Sequence, residues 1–210
     1  MKKAIVSVVT GGYDQIPLGP YFEGWDSIMF TDQDTDGRGW EIRQLPKVDN
    51  PLVQSRDIKI RPHLHLPEYD LICYIDGNQK FLQEPPSEPI WYRHAKRTDI
   101  FQEAKQIIQN GRFPRSLIVD QINYYRSKGY KDTGLYLNGY HVRSTRNEKI
   151  NKMHEIWFEE TCRFSPRDQL SLPFAIFLTG TYPENIRPIS NKEKYAIVTI
   201  GHKQDYYANN

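Results

Sequence analysis

Residues 69–75, YDLICYI, form the most apolar strand-like run in the chain, and the run stops abruptly at Asp76-Gly77-Asn78. A strand with apolar side chains on both faces must be covered on both faces. That places it inside a sheet, with its polar terminus at the sheet's carboxyl edge. The triplet has two readings. Asp-Gly is a frequent hairpin turn. A carboxylate and an amide two residues apart can also face the same way once glycine turns the chain. Together they offer oxygen ligands to Mg or Mn, which would in turn neutralise a diphosphate. The uniform apolarity before the triplet favours a central strand and a site.

The rest of the pattern supplies the neighbours of that strand. Residues 4–9 are mostly β-branched and end in Thr10-Gly11-Gly12, which predicts a buried first strand rather than a leader peptide. Strands are also predicted at 27–31, 40–45, 90–93, 135–143 and 195–200. A helix is predicted over 55–66, with Ser55 as N-cap and a kink or end at Pro62. Others are predicted over 99–109, 116–128, 148–162 and 168–178, the first of them stopped by Asn110-Gly111. Strands and helices mix along the chain, so the expected fold is α/β, with parallel strands joined by helical crossovers in a single domain. Ligands of such sheets bind beyond the carboxyl ends of the strands. The residues there are Thr10-Gly11, Asp32, Asp76-Gly77-Asn78 and Gly201-His202.

Composition removes several function classes. The chain has 210 residues, 38% hydrophobic and 26% charged, enough to bury a core and too apolar for disorder. Its 28 basic residues are balanced by 26 acidic ones, which argues against a nucleic-acid partner. No run approaches the roughly 18 apolar residues of a membrane span. Cys73 and Cys162 sit in apolar or amphipathic segments without a CxxC, so two buried thiols in a reducing, cytoplasmic setting are expected. No P-loop, GxGxxG, nucleophile elbow or HExxH occurs.

Other polar constellations each have a local alternative. TDQDTDG, residues 31–37, matches the first half of a calcium loop, but Arg43 stands where the bidentate Glu belongs. A solvated acidic loop is expected, with Asp32 alone near a ligand. Arg56, Lys59 and Arg61 offer charge to a diphosphate or form a solvated helix face. His94, Arg97 and Glu103 follow a predicted strand and could reach a cleft. Arg167-Asp168-Gln169 abuts an apolar helix, where Asp168 is either an N-cap or a carboxylate tuned by a pocket. His202 follows the last strand and could complete a metal site with Asp76.

Four blocks together resemble one family: KIRPHLHLPEYDLICYIDGN, RHAKRTDIFQEAK, DQINYYRSKGYKDTGLYLNGYHVRSTR and IWFEETCRFSPRDQLSLPF. In this order they are similar to the glycosyltransferase-like domain of TOD1/MUCI70 proteins. The resemblance implies a GT-A-like, Rossmann-related mixed sheet flanked by helices, with residues 1–80 binding a nucleotide and 81–210 an acceptor. It implies a soluble glycosyltransferase of polysaccharide biosynthesis, taking a nucleoside diphosphate sugar as donor and a glycan hydroxyl as acceptor. By the same resemblance Asp76, Asn78 and His202 would hold Mn or Mg. Thr10, Gly11, Asp32, Arg56 and Lys59 would bind the nucleotide. His94, Arg97, Arg167 and Gln169 would line the cleft, and Asp168 would be the catalytic carboxylate. Asn78 replaces the second Asp of the family's motif type, leaving one charge fewer. The rival reading is a non-catalytic nucleotide-sugar or glycan-binding module.

Overall fold

The computed structural model describes residues 1–111, 113–189 and the backbone of 196–198. Strand β1 (Lys3–Val9) alternates between two covered faces. Ala4, Val6 and Val8 pack with Ile58, Leu66 and Tyr74 on one side. Ile5 and Val9 pack with Ile16, Trp25 and Trp40 on the other. This double burial is why the run reads as continuously apolar.

β2 (Asp26–Thr31), β3 (Glu41–Gln44) and β4 (Leu71–Ile75) join β1, and β6 (Ile90–Arg93), β7 (Tyr136–Ser144) and β8 (Ile186–Arg187) extend the sheet, after the short β5 (Gln79–Phe81). The order is β3-β2-β1-β4-β7-β6-β8. Strands β1 to β4 pair in parallel, and β7 runs antiparallel to both β4 and β6. β5 pairs separately with β9 (Ala196–Val198), the described part of the last predicted strand. The fold is therefore α/β around a mixed sheet, as a GT-A-like architecture requires, and the sheet draws strands from both halves of the chain.

The expected helical crossovers are only partly present. Among the described residues the links from β1 to β2 and from β2 to β3 contain no helix. Ile16, Trp25 and Trp40, in or beside those links, cover the sheet face instead, so no helix is needed there. The link from β3 to β4 carries α1 (Pro51–Ile60) and α2 (Pro62–His65). α1 begins four residues before the predicted start. Pro51 occupies the first helical position, and the Asn50 side chain accepts from Val53 N at 3.1 Å. Ser55 is not a cap; its hydroxyl donates back to Leu52 O at 2.8 Å. Pro62 does end the helix, as expected.

α3 (Ile100–Asn110) starts on the Asp99 cap and stops at Gly111, whose φ of 65° is the left-handed C-cap conformation. It packs with α4 (Arg115–Ser127) and with α6 (Asp168–Thr179) around a cluster that includes Tyr125 and Phe174, stacked at 3.9 Å. α5 (Glu148–Arg163) lays Met153 and Trp157 against Leu172 and Ala175 of α6. Cys73 is buried but Cys162 is exposed, because α5 turns Trp157 and Thr161 inward and leaves Cys162 on its outer side; both are free thiols. No helix among the described residues is long and apolar enough to cross a membrane.

Candidate functional site

The carboxyl end of β4 turns sharply, with Gln79 N donating to Asp76 O at 3.0 Å. It is a turn but not a hairpin: β4 belongs to the large sheet and β5 to the ribbon with β9. Gly77 is required by proximity to β1. A Cβ there would lie 2.5 Å from Val9 Cγ2, well inside contact distance. The backbone of Asp76 is fixed by its N–H donating to Gly139 O at 2.9 Å. Gly139 packs close to the same turn: a Cβ there would meet the side-chain ends Asp76 Oδ2 and Gln79 Nε2, each at 2.7 Å, and both would have to shift.

α1 carries Lys59 beneath this turn. The lysine is 3% exposed, and its Nζ lies 3.2 Å from Asp76 Oδ1 and 2.7 Å from Asp168 Oδ2. One ammonium thus bridges carboxylates that are 92 positions apart in the chain (168 minus 76). Tyr74 adds its hydroxyl to Asp76 Oδ1 at 3.0 Å and presents its ring to Lys59 Nζ at 5.1 Å. Burial and the adjacent Asp76 push the Tyr74 phenol well above its ordinary value, so it remains a donor. Burial alone would raise Asp168, but the Lys59 ammonium and the Arg56 guanidinium outweigh it and hold the carboxyl well below the usual range.

Asp168 is not the helix cap. The cap position is Arg167, without a side-chain cap bond, and Asp168 is the first residue of α6. Its carboxylate turns to Lys59 because the corner before α6 is pinned by buried contacts. Trp157 Nε1 donates to Asp168 O at 2.8 Å, and Ser165 Oγ donates to Gln121 Oε1 at 2.6 Å. Arg167 reaches Glu103 Oε1 at 3.0 Å and Gln169 Oε1 at 3.1 Å. Glu103 is 1% exposed and also pairs with Arg97. His94 Nδ1 accepts from Arg97 N at 3.0 Å, and burial, then the Arg97 charge, lower its pKa.

These groups border one cavity of about 440 Å³. Asp76, Gly77 and Asn78 form one wall and Arg167, Asp168 and Gln169 another, with Thr10, Arg56, Lys59 and His94 also in the lining. Residues 79–181 match the TOD1/MUCI70, glycosyltransferase-like domain family. No curated protein matches the chain. The matched segment begins immediately after the Asp-Gly-Asn turn and contains the Arg-Asp-Gln wall, so cavity and match share the second wall while the turn lies just outside the match.

Several predicted residues stand elsewhere. Gly11 and Asp32 do not line the cavity. The Asp32 carboxylate is buried and accepts from Gly11 N at 3.0 and 2.9 Å, so it braces the loop after β1. Thr10 does line it, and its hydroxyl donates to Pro51 O at 2.8 Å, tying that loop to α1. Arg97 borders a small annex of about 50 Å³ that shares Arg167 with the main cavity. Asp34 and Asp36 of the calcium-like loop are exposed, and they join no metal-ligating group. His202 lies outside the described residues.

Among the described residues no group of three His, Cys, Asp or Glu could hold a metal. Asp76 and Asn78 remain as a hard two-donor set on the cavity wall. That set suits Mg or Mn only with waters or phosphate oxygens completing the shell. Sequence reasoning missed Asn138, which lies within the matched segment. It is 2% exposed, lines the cavity, and neither Nδ2 nor Oδ1 has a hydrogen-bond partner. A buried amide left so costs about 1–3 kcal/mol for each unpaired group. Its signal was the Asn-Gly pair inside a predicted strand, a pattern that marks a bulge or a close backbone approach.

Proposed function

We propose that the chain transfers a sugar from a nucleoside diphosphate sugar to a hydroxyl of a glycan or related acceptor. The observation that carries the reading is the Lys59 bridge. It joins the carboxylate at the end of the central strand to the carboxylate opening α6, at the floor of a cavity large enough for a nucleotide sugar. The family match over the second wall supports it.

In this reading Thr10 and Arg56 face the nucleotide portion, and the diphosphate lies over the Asp76-Gly77-Asn78 turn. Arg56 stabilises the negative charge that develops on the departing diphosphate, while Lys59 holds Asp76 and Asp168 in place. A divalent cation held by Asp76 and Asn78 would supply further positive charge there. Asp168 is ionised at neutral pH and, with its depressed pKa, is a weak proton acceptor. Its charge suits stabilising the cationic anomeric carbon better than withdrawing the acceptor's proton. Arg167, Gln169 and His94 form the acceptor side of the same cavity.

The test is a thermal-shift panel of UDP, GDP and ADP and their hexose esters, with and without manganese chloride. A ligand at a hundred times its Kd adds about 2.7 kcal/mol, a rise of roughly 5–10 °C for a domain of this size. Asp76→Ala and Asp168→Ala should abolish release of nucleoside diphosphate from the active donor while circular dichroism shows the fold intact. A panel with no shift refutes the reading. Binding without turnover identifies a sugar-nucleotide-binding module instead.

A further inference from the structure

β7 is interrupted beside the cavity. Its partner β6 pairs Ile90 with Val142 and Tyr92 with Leu137, so four residues, 138–141, stand opposite the single Trp91. Bulges of this kind re-aim side chains next to active sites. Two contacts hold this one. His141 stacks on Trp91 at a centroid distance of 3.9 Å, and Gly139 O accepts from Asp76 N at 2.9 Å. The bulge delivers Asn138 into the cavity wall with both polar atoms unpaired. Buried amides are nearly always hydrogen-bonded, so one that is not calls for an explanation.

We infer that the Asn138 amide reads a hydroxyl of the bound sugar, and that the β7 bulge exists to place it. The inference rests on the proposed donor chemistry and assigns a part of the donor that no other residue has taken. A phosphate only accepts hydrogen bonds and would leave Oδ1 unpaired. A cation would use Oδ1 alone. A sugar hydroxyl donates and accepts, so it can pair with either amide atom, and a vicinal pair of hydroxyls satisfies both. Position agrees. The sheet runs β1, β4, β7, so Thr10, the Asp76 turn and Asn138 succeed one another across the cavity. A diphosphate at the turn, with its nucleoside toward Thr10, leaves the sugar at Asn138.

The experiment compares wild type with Asn138→Ala and the bulk-preserving Asn138→Leu. Calorimetry measures the Kd of UDP against UDP-glucose and UDP-galactose, and of GDP against GDP-mannose. Both variants should bind the nucleoside diphosphate within about threefold of wild type, and the sugar ester of the preferred base about tenfold or more weakly. The unliganded variants should melt at or above the wild-type temperature, because the substitution removes an unpaired buried amide. An equal loss for both ligands overturns the inference, as does no loss for either. So does a fall in melting temperature beyond about 4 °C, which would make Asn138 a structural residue. If wild type binds no nucleotide and no nucleotide sugar, the donor reading itself fails and the inference with it. Tight nucleotide binding with an unchanged sugar-to-nucleotide ratio in the variants removes the Asn138 assignment alone.

Discussion

Replacing Gly77 by alanine tests whether the turn after β4 is seated against β1. The added Cβ would stand 2.5 Å from Val9 Cγ2, 3.8 Å from Val8 O and 3.9 Å from Asp14 Oδ2. Only the first is a clash, and it falls more than 1 Å short of the usual carbon contact at about 3.5–4.0 Å. Val9 is 3% exposed and β-branched, so it cannot swing aside within its packed cluster. Overpacking of this kind costs about 1–3 kcal/mol. Val9→Ala alone removes two methyl groups, about 2 kcal/mol of lost burial with its cavity. In the double variant the new methyl at 77 occupies the space vacated at 9. Additivity would give a loss of about 3–5 kcal/mol; we expect about 1–2 kcal/mol, a favourable coupling of roughly 1–4 kcal/mol. Urea unfolding followed by tryptophan fluorescence measures it. The turn carries Asp76 and Asn78, so Gly77→Ala should also weaken nucleoside diphosphate binding, and Val9→Ala should restore it in the double variant. Losses additive within about 0.5 kcal/mol would show that the turn does not rest on β1.

Two further predictions concern groups outside that contact. Glu103→Gln should destabilise the protein by roughly 2–3 kcal/mol in urea unfolding, because it leaves the partly buried Arg97 and Arg167 without their shared counter-charge; a loss under about 0.5 kcal/mol would show that the cluster is dispensable. His141 and His154 are fully buried, and burial, then Arg143, holds both far below the ordinary histidine value. The unfolded chain therefore binds protons first, so stability is complete above about pH 6.5 and is lost below it, at up to about 1.4 kcal/mol per pH unit for each histidine. Melting temperature recorded from pH 7.5 to 4.5 should decline from near pH 6.5, and a flat profile to pH 5 would refute the assignment.

What was legible in the sequence was what short-range physics decides. The uniform apolarity before Asp76 marked an interior strand, and Asp99 and Gly111 marked the ends of α3. The start of α1 was misplaced because Ser55 and Asn50 are both capable caps. Pro51 at the first helical position favours Asn50, a preference visible in the sequence that the placement of the cap at Ser55 did not use. Asp168 looked like a cap because the competing partner, Lys59, is distant in sequence and reaches it only once α1 and α6 pack on one sheet. The β7 bulge was hidden for a related reason. The Asn138-Gly139 pair hinted at a bulge, but the apolar–polar alternation runs on through it, and the pairing with β6 shows where the register breaks. Asp32 was assigned to a ligand because it ends a strand, yet the free N–H of Gly11 lies nearer.

The charge balance of the cavity bears on what must accompany a diphosphate. Asp14, Asp76 and Asp168 supply three carboxylates, and Arg56, Lys59 and Arg167 three cations. Lys59 already faces two of the carboxylates, and Arg167 is engaged by Glu103. The lining is thus neutral before any ligand enters, and Lys59 and Arg167 are already paired. A diphosphate brings at least two negative charges into a partly desolvated space, where unpaired charge is costly. Rearranging Lys59 toward the phosphates would expose Asp76 and Asp168 to each other and gain little. The economical source of charge is a divalent cation entering with the nucleotide and completing its shell on Asp76 and Asn78. Manganese should then tighten binding of UDP or GDP to wild type by an order of magnitude or more, and Asp76→Asn should erase that increment without weakening metal-free binding. Equal affinity with manganese and with EDTA would mean that Lys59 and Arg56 suffice.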